Sequence, residues 1–254
     1  MIDTHAHIQD EMYTVSVEEI INNAKQNGVN KIICSSSGVK TALRAVEISN
    51  KFDEVYATVG VHPEEANEYS EIVEQQLEEL AKNRKVVAIG EIGLDYCYEF
   101  ASREKQKEVF IKQIELANKL KMPVVIHTRD ASGDTMEILR ANLDKLKNGV
   151  CIHCYSMSVE ILKEILEYGF YISVGGVVTF KNANKLIDVV KTCPMEKLML
   201  ETDSPYLSPV PFRGKINEPK NVIYVAEKIA EIKNISIKDV ENITTDNAYR
   251  FFRI

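Results

Sequence analysis

Short apolar, β-branched runs recur along the chain and alternate with longer amphipathic stretches. Their starts lie about 28 residues apart, room for one strand, one helix and two loops per unit. Several runs are apolar almost throughout, as in parallel strands buried on both faces. We therefore predict a parallel eight-stranded (β/α)8 TIM barrel, forming one domain over residues 1–254, with its functional residues at the carboxyl ends of the strands. The predicted strands are Ile2–His5, Lys31–Ser36, Val55–Val61, Val86–Ile92, Pro123–His127, Val150–Cys154, Tyr171–Val174 and Leu198–Thr202.

The stretches between these runs have helical period and helical start and stop signals. Ser16 with Glu19 forms a capping box, and Gly28 follows as a helix stop. Residues Arg103–Lys121 predict a helix whose apolar face holds Phe110, Ile114, Ala117 and Leu120. Residues Ser236–Ile254 predict one or two terminal helices that pack Val240, Ile243, Ala248 and Phe251 on the barrel exterior.

The segment Ser204–Pro219 is irregular and proline-rich. It cannot be a continuous helix, because proline removes a hydrogen-bond donor and clashes with the preceding turn. It is either a stiff connector or a substrate-contacting loop. Its position after the eighth strand, at the face where barrel active sites lie, favours the loop.

Composition limits the class of protein. Of 254 residues, 45% are hydrophobic and 27% are charged, which suits a packed core and excludes a disordered chain. A net charge of −7 argues against a broad basic surface for nucleic acid but leaves room for a small cationic site.

The chain has no apolar run near the roughly 18 residues of a membrane span and no leader pattern at its start. Its five scattered cysteines indicate reduced thiols. We expect a soluble cytoplasmic protein.

Histidines and acidic residues cluster at the predicted strand ends. The histidines are His5 and His7 at the first strand, His62 at the third, His127 at the fifth and His153 at the sixth. The acidic residues are Glu91 and Asp95 at the fourth strand, and Glu201 and Asp203 at the eighth. Because the carboxyl ends of barrel strands converge on one face, these side chains are expected to meet there.

This residue set indicates a metal centre. His5 and His7 alternate in an extended strand, so both imidazoles point the same way. Glu91 lies in a buried strand, where a carboxylate is costly unless it is paired or metal-bound. Four histidines and two carboxylates exceed the needs of one tetrahedral ion, so two ions fit better, with Glu91 as the bridge. Two alternatives stay open: Asp203 as a turn cap, and a zinc-thiolate site at Cys151 and Cys154.

The motifs in the chain carry a family resemblance. They are D-T-H-A-H at 3–7, G-V-H-P at 60–63, G-E-I-G-L-D at 90–95, Q-x3-F-x2-Q at 106–113, P-V-V-I-H-T-R-D-A at 123–131, I-H-C-Y-S at 152–156, L-E-T-D-S-P-Y-L at 200–207 and R-G-K-x-N-E-P at 213–219. In this order they resemble the TatD family of metal-dependent deoxyribonucleases, within the amidohydrolase-like metal-dependent hydrolases. The T-T-D-N-A-Y-R-F-F stretch resembles the closing helix of that family.

The resemblance implies two divalent cations per subunit, of Mg, Mn or Zn. One ion would be held by His5, His7, Glu91 and Asp203. The other would be held by Glu91, His127 and His153. Asp203 would also accept a proton from the attacking water, so Asp203 and Glu91 are the expected catalytic residues. The implied reaction is exonucleolytic phosphodiester cleavage, with DNA ends or RNA as the nucleic acid substrate. The sequence itself gives no sign of a membrane or of an obligate protein partner.

Several residues around this set have two interpretations. His62 is either a phosphate contact or proton donor on the rim, or a histidine hydrogen-bonded into the turn before Pro63. Arg129, Arg213 and Lys215 either bind backbone phosphates or are solvated surface charges. Glu201 either orients a histidine or pairs with Arg129.

Two other functions remain open. The same ion pair can attack another ester, an amide or a lactone, and the family resemblance also allows deacylation of D-aminoacyl-tRNA. Glu91 at the fourth strand weighs against a small-molecule amidohydrolase, many of which use a modified lysine as the bridge. The second alternative is a non-catalytic metal-binding or scaffold protein, which an intact ligand set with a candidate base disfavours.

Overall fold

Eight parallel strands alternate with helices along the chain in a computed structural model that describes residues 1–254. The strands follow one another in a single sheet in chain order, so the topology is the predicted (β/α)8 barrel. Their bounds are β1 Ile2–Ala6, β2 Lys31–Cys34, β3 Val55–Val59, β4 Val86–Asp95, β5 Val124–Arg129, β6 Val150–Ile152, β7 Tyr171–Val174 and β8 Leu198–Leu200.

Nine α-helices connect or follow these strands. They are α1 Val17–Gln26, α2 Val39–Lys51, α3 Glu71–Leu80, α4 Arg103–Leu120, α5 Ser132–Ala141, α6 Val159–Glu167, α7 Asn184–Thr192, α8 Val222–Lys233 and α9 Ile237–Phe252. Short 3₁₀ helices lie at Pro63–Glu68, Gly176–Thr179, Met195–Lys197 and Pro219–Asn221. None of the helices combines the length and apolar character that a membrane span requires.

The chain divides into two compact units. The first comprises Met1–Cys34 with Cys154–Ile254, and the second comprises Ser35–His153. The first unit therefore contributes β1, β2, β7 and β8, and the second contributes β3 to β6. That residues 1–254 form a single domain stays a prediction.

In the first unit, Ser16 and Gly28 stand at the two ends of α1, as the sequence predicts. The Ser16 hydroxyl accepts a hydrogen bond from the Glu19 amide, and α1 ends before Gly28, whose φ of +80° suits a residue without a side chain. The terminal stretch forms one helix, α9, which buries Val240, Ala248 and Phe251. Residues 204–218 contain no helix, as the prolines predict.

In the second unit, β4 and β5 are longer than predicted. All ten residues of β4 are buried, and its pairing with β5 continues through Gly93–His127 to Asp95–Arg129. Glu91, Asp95 and His127 therefore lie within strands, whereas apolar runs predicted Asp95 beyond the fourth strand and His127 as the end of the fifth. An apolar pattern ends where polar side chains begin, whereas the hydrogen bonding between two strands can continue past them. The two strands were therefore predicted too short. Gly93 has a φ of +143°, and an added Cβ would lie 2.0 Å from the His127 carbonyl oxygen.

Two buried glutamines of α4 hold the chain next to β3 and β4. The Gln113 amide accepts from the Val61 nitrogen at 2.8 Å and donates to the Val61 oxygen at 2.9 Å. Gln106 makes the same pair of bonds with Asp95, at 2.9 Å each. Each side-chain amide bonds to a backbone N–H and C=O as a neighbouring strand would. Helix α4 therefore fixes the chain at Val61, after β3, and at Asp95, the end of β4.

Candidate metal centre

In the first unit, His5, His7 and Asp203 form one cluster. The Nε2 atoms of the two histidines are 3.3 Å apart, so the rings lie on the same side of the chain as the alternation predicts. Asp203 Oδ1 lies 3.4 Å from His7 Nε2 and 3.8 Å from His5 Nε2. Backbone bonds fix this arrangement: the Asp203 amide donates to the His5 carbonyl at 2.9 Å, and the His7 amide donates to the Ser204 carbonyl at 2.7 Å.

Asp3 holds the backbone on which this cluster stands. Its buried carboxylate accepts from the Thr202 amide at 2.9 Å, the Thr202 hydroxyl at 2.5 Å and the His5 amide at 3.3 Å. Burial raises the pKa of Asp3 to about 8, and these hydrogen bonds oppose the shift. Asp3 therefore joins the residues before Asp203 to His5, a role that the apolar pattern of the first strand did not reveal.

In the second unit, Glu91 lies among three histidines. Its Oε1 atom is 2.6 Å from His153 Nε2, 2.9 Å from His127 Nδ1 and 3.6 Å from His62 Nε2. Only 3% of Glu91 is exposed. One buried carboxylate oxygen thus lies close to three imidazole nitrogens, which is the kind of environment that the burial argument predicted for Glu91.

Asp95 orients His127. Its Oδ2 atom lies 3.0 Å from His127 Nε2, while the other ring nitrogen faces Glu91. Burial lowers the pKa of His127, but the hydrogen bonds with Asp95 and Glu91 outweigh burial and raise it overall. The carboxylates of Asp95 and Glu91 therefore favour a positive charge beside them. A protonated His127 would supply that charge, and so would a bound cation.

His62 contributes to the same group and to the adjacent turn. Its Nδ1 atom accepts from the Glu64 amide at 3.3 Å, which caps the 3₁₀ helix Pro63–Glu68. The residue is only 8% exposed, and burial lowers the pKa of His62 to about 3. Because Nδ1 accepts, the neutral ring carries its hydrogen on Nε2 and can donate a hydrogen bond there to an oxygen atom. Acid catalysis would need the charged imidazolium, so a contact role is favoured over proton transfer. The turn contact predicted as an alternative is present, and it leaves Nε2 facing Glu91.

The donor atoms in each unit fit a divalent cation. The ligand atoms of His5, His7 and Asp203 lie within 4.8 Å of one another, and so do those of His62, Glu91 and His127. Imidazole nitrogen with carboxylate oxygen suits zinc or manganese, and carboxylates also accept magnesium. The groups contain no sulfur atom, so the thiolate alternative at Cys151 and Cys154 gains no support.

Glu201 is fully buried and holds the chain that follows His153. Its carboxylate accepts from the Cys154 amide at 2.7 Å and from the Ser173 hydroxyl. Cys154 has a positive φ of 43°, so this bond stabilises a sharp bend directly after His153. These contacts hold the backbone beside His153, and the orientation of a histidine ring by Glu201 stays a prediction.

The predicted phosphate-binding cations lie at the surface. Arg129 is exposed at the last residue of β5, with its guanidinium carbon 5.1 Å from the centre of the Tyr98 ring. Arg213 is exposed in the proline-rich loop, 3.7 Å from the centre of the Phe180 ring, and Lys215 lies 5.9 Å from that of Phe212. Aromatic contacts thus orient these cations, and their binding of phosphate stays a prediction.

Tyr206 is a further residue beside the first cluster that the sequence did not single out. Its ring centre lies 6.0 Å from that of His7, and its hydroxyl donates to Asp10 at 2.8 Å. The side chain remains 44% exposed. The available signal was its place three residues after Asp203, in the motif L-E-T-D-S-P-Y-L.

Comparison with known proteins agrees with the family resemblance. The family model described as TatD related DNase matches residues 2–253. An uncharacterized metal-dependent hydrolase of Bacillus subtilis, YabD, is 44% identical over 254 residues, covering 100% of this chain and 99% of its own. The uncharacterized metal-dependent hydrolase YcfH of Escherichia coli K12 is 37% identical over 257 residues, covering 100% of this chain and 96% of its own.

A solved structure extends the similarity to three dimensions. YjjV, a TatD homolog from Escherichia coli K12, superposes with a TM-score of 0.94 at 28% identity, covering 100% of this chain and 98% of that one. A TatD family hydrolase from Entamoeba histolytica superposes with a TM-score of 0.88 at 27% identity, covering 99% and 97%. The chain therefore belongs to the TatD family and is a metal-dependent hydrolase.

Proposed function

We propose that the chain is a two-metal deoxyribonuclease that removes nucleotides from DNA ends. The observation that carries the proposal is the buried Glu91 carboxylate within 3.6 Å of three imidazole nitrogens, in a chain that the TatD related DNase model matches. In a (β/α)8 barrel, the carboxyl ends of the strands face one side. His5, His7, His127, His153 and Asp203 all stand at or near such ends.

The two clusters divide the ligands between two cations. His5, His7 and Asp203 would hold one ion together with Glu91, and His127 and His153 would hold the other with the same glutamate. A carboxylate has two oxygens, so it can bridge ions about 4 Å apart. When bound, two such cations lower the pKa of a water molecule and polarise a phosphate oxygen, with Mg, Mn and Zn as the candidates.

The side chains around the ions handle the proton and the substrate. Asp203 accepts the proton of the attacking water, because its carboxylate stands beside two ligands and is partly exposed. His62 contacts the phosphate through Nε2. Arg129 and Arg213 bind neighbouring backbone phosphates, since a guanidinium group matches phosphate geometry.

Digestion of oligonucleotides across a metal series tests this proposal. The substrates are single-stranded DNA and RNA oligonucleotides with free ends or with one end blocked, each with Mg²⁺, Mn²⁺ or Zn²⁺. We expect stepwise shortening of DNA from an unblocked end, abolished by chelation and by Asp203→Asn. Asp188→Asn, an exposed change on α7, is the matched control and should keep wild-type activity.

D-tyrosyl-tRNA is the competing substrate in the same experiment. Deacylation of this substrate without cleavage of any oligonucleotide would move the chain to the carboxylic ester class and overturn the proposal. Inertness toward both substrates with every metal would overturn the nuclease proposal and leave another ester, an amide or a lactone as the substrate.

A further inference from the structure

Two aromatic side chains stand in solvent in the loop between β4 and α4. Tyr98 is 49% exposed and Phe100 is 55% exposed. Their ring centres are 5.6 Å apart, and the ring planes are inclined by 55°. Covering exposed aromatic surface of this kind with a flat apolar partner is energetically favourable.

The loop that carries these rings is held in place at both ends. The Gln106 amide bonds to the Asp95 backbone and also donates to the Ala101 carbonyl at 3.2 Å. The Cys97 amide donates to Asp95 Oδ1 at 2.8 Å, and Asn67 Nδ2 donates to the Phe100 carbonyl at 2.8 Å. A held loop loses little conformational entropy on binding, so the rings are preorganised for a ligand.

The rings are continuous with the metal-ligand cluster of their unit. Tyr98 follows Asp95, whose carboxylate contacts His127. Arg129 pairs with Asp95 across β4 and β5, and its guanidinium carbon lies 5.1 Å from the Tyr98 ring centre. The aromatic rings and the Arg129 cation therefore lie next to the ends of β4 and β5. The same two strands carry Glu91, Asp95 and His127 of the metal-ligand cluster.

We propose that Tyr98 and Phe100 form a stacking platform for an unpaired base of a single-stranded DNA substrate, with Arg129 on the adjoining backbone phosphate. The proposal rests on the proposed nuclease function and assigns Tyr98, Phe100 and Arg129 to the binding of its substrate. Because the rings are inclined to each other, one base stacks flat on one ring and meets the edge of the other. A base inside a duplex is stacked on both faces by its neighbours, so it offers no free face for this contact.

Removal of the rings tests the platform. The double change Tyr98→Ala with Phe100→Ala is compared with wild type on single-stranded DNA and on a matched strand whose terminal nucleotides at both ends are abasic. We expect kcat/KM on the normal strand to fall about tenfold to a hundredfold, through KM, because base–aromatic stacking has that magnitude. On the abasic strand, the variant and wild type should be equal.

Two further variants separate stacking from a structural effect. Tyr98→Trp keeps a stacking face and should retain wild-type KM on the normal strand. Tyr249→Ala removes an exposed aromatic ring from α9 and should change neither substrate. Thermal unfolding of every variant, expected at the wild-type temperature, shows that the fold is intact.

The outcomes distinguish the platform from the nuclease proposal. A wild-type protein that cleaves neither strand with any metal contradicts the nuclease function, and the platform falls with it. A wild-type protein that cleaves the normal strand, with a double variant of unchanged KM, overturns the platform alone. An equal loss on normal and abasic strands also overturns it, since the effect would then not depend on the base.

Discussion

Glu91 is the residue on which the proposed centre depends most. It is buried in β4, and its Oε1 atom lies close to three imidazole nitrogens. A buried carboxylate is costly, and several histidines or bound cations offset that cost. In the proposed two-metal centre, removing its charge would remove the carboxylate that serves both cations.

We expect Glu91→Gln to lose bound metal and phosphodiesterase activity together, because the amide keeps the volume but lacks the charge. Activity should fall at least about a hundredfold, since metal ions supply several kcal/mol of transition-state stabilisation. Metal analysis of the purified variant and oligonucleotide assays measure the two losses. Glu79→Gln on α3, which is exposed, is the control. Wild-type metal content and activity in Glu91→Gln would rule out the bridging role.

Asp95 provides a test of positioning at the same scale. Asp95→Asn weakens the contact with His127 Nε2 but keeps an oxygen for the Cys97 amide. Metal affinity should fall about tenfold to a hundredfold, as for other partners of ligand histidines. Isothermal titration with Mn²⁺ gives the affinity, and unchanged binding would mean that His127 needs no such partner. Wild-type kcat with saturating metal is expected, because Asp95 acts through His127.

At the scale of elements, α4 connects helix packing to the site. Its glutamines satisfy backbone groups at Val61 and Asp95, one residue before His62 and at the end of β4. Gln106 and Gln113 are seven residues apart, so they share the helix face that also buries Phe110 and Ile114. The helix therefore sets the positions of two chain segments that carry site residues.

We expect Gln113→Leu to lower the free energy of unfolding by about 2–4 kcal/mol, because it leaves the buried Val61 amide and carbonyl without these partners. Urea unfolding followed by circular dichroism measures the change. Gln75→Leu, an exposed position on α3, should alter stability by less than about 0.5 kcal/mol. Equal stability of the two variants would show that the Gln113 bonds contribute little.

The strands could be predicted from the sequence better than the contacts between them. Apolar runs located all eight strands, because buried parallel strands need apolar side chains on both faces. They stopped short at Ile92 and His127, because β4 continues to Asp95 and β5 to Arg129, both charged residues. The contacts of Gln113 and Asp3 depend on residues 52 and 199 positions away, so local pattern gives no sign of them.

At the scale of the whole molecule, net charge affects the binding of a polyanionic substrate, and burial decides which thiols solvent can reach. The formal charge of −7 is unfavourable for a polyanionic substrate, so bound cations would supply the local positive charge that the surface lacks. None of the five cysteines is in a disulfide bond. Cys34, Cys151 and Cys193 are buried, whereas Cys97 is exposed.

Thiol labelling at pH 8 should follow this burial. Burial raises the pKa of Cys34 and of Cys193 to about 12, so the reactive thiolate is scarce at both positions. We expect Cys97 to react first and the three buried thiols only after unfolding, as mapped by mass spectrometry of labelled peptides. Cys97→Ser should remove the fastest phase. Rapid labelling of Cys34 or Cys193 in the folded protein would contradict the packing described.

Titration of the metal-free protein with Mn²⁺ tests the central claim most directly. Chelated protein is given increasing Mn²⁺ while cleavage of single-stranded DNA is measured alongside the metal bound. The two-metal account predicts no cleavage without metal, and activity that rises until two ions are bound per chain. Full cleavage by the chelated protein, or full activity with a single bound ion, would contradict it.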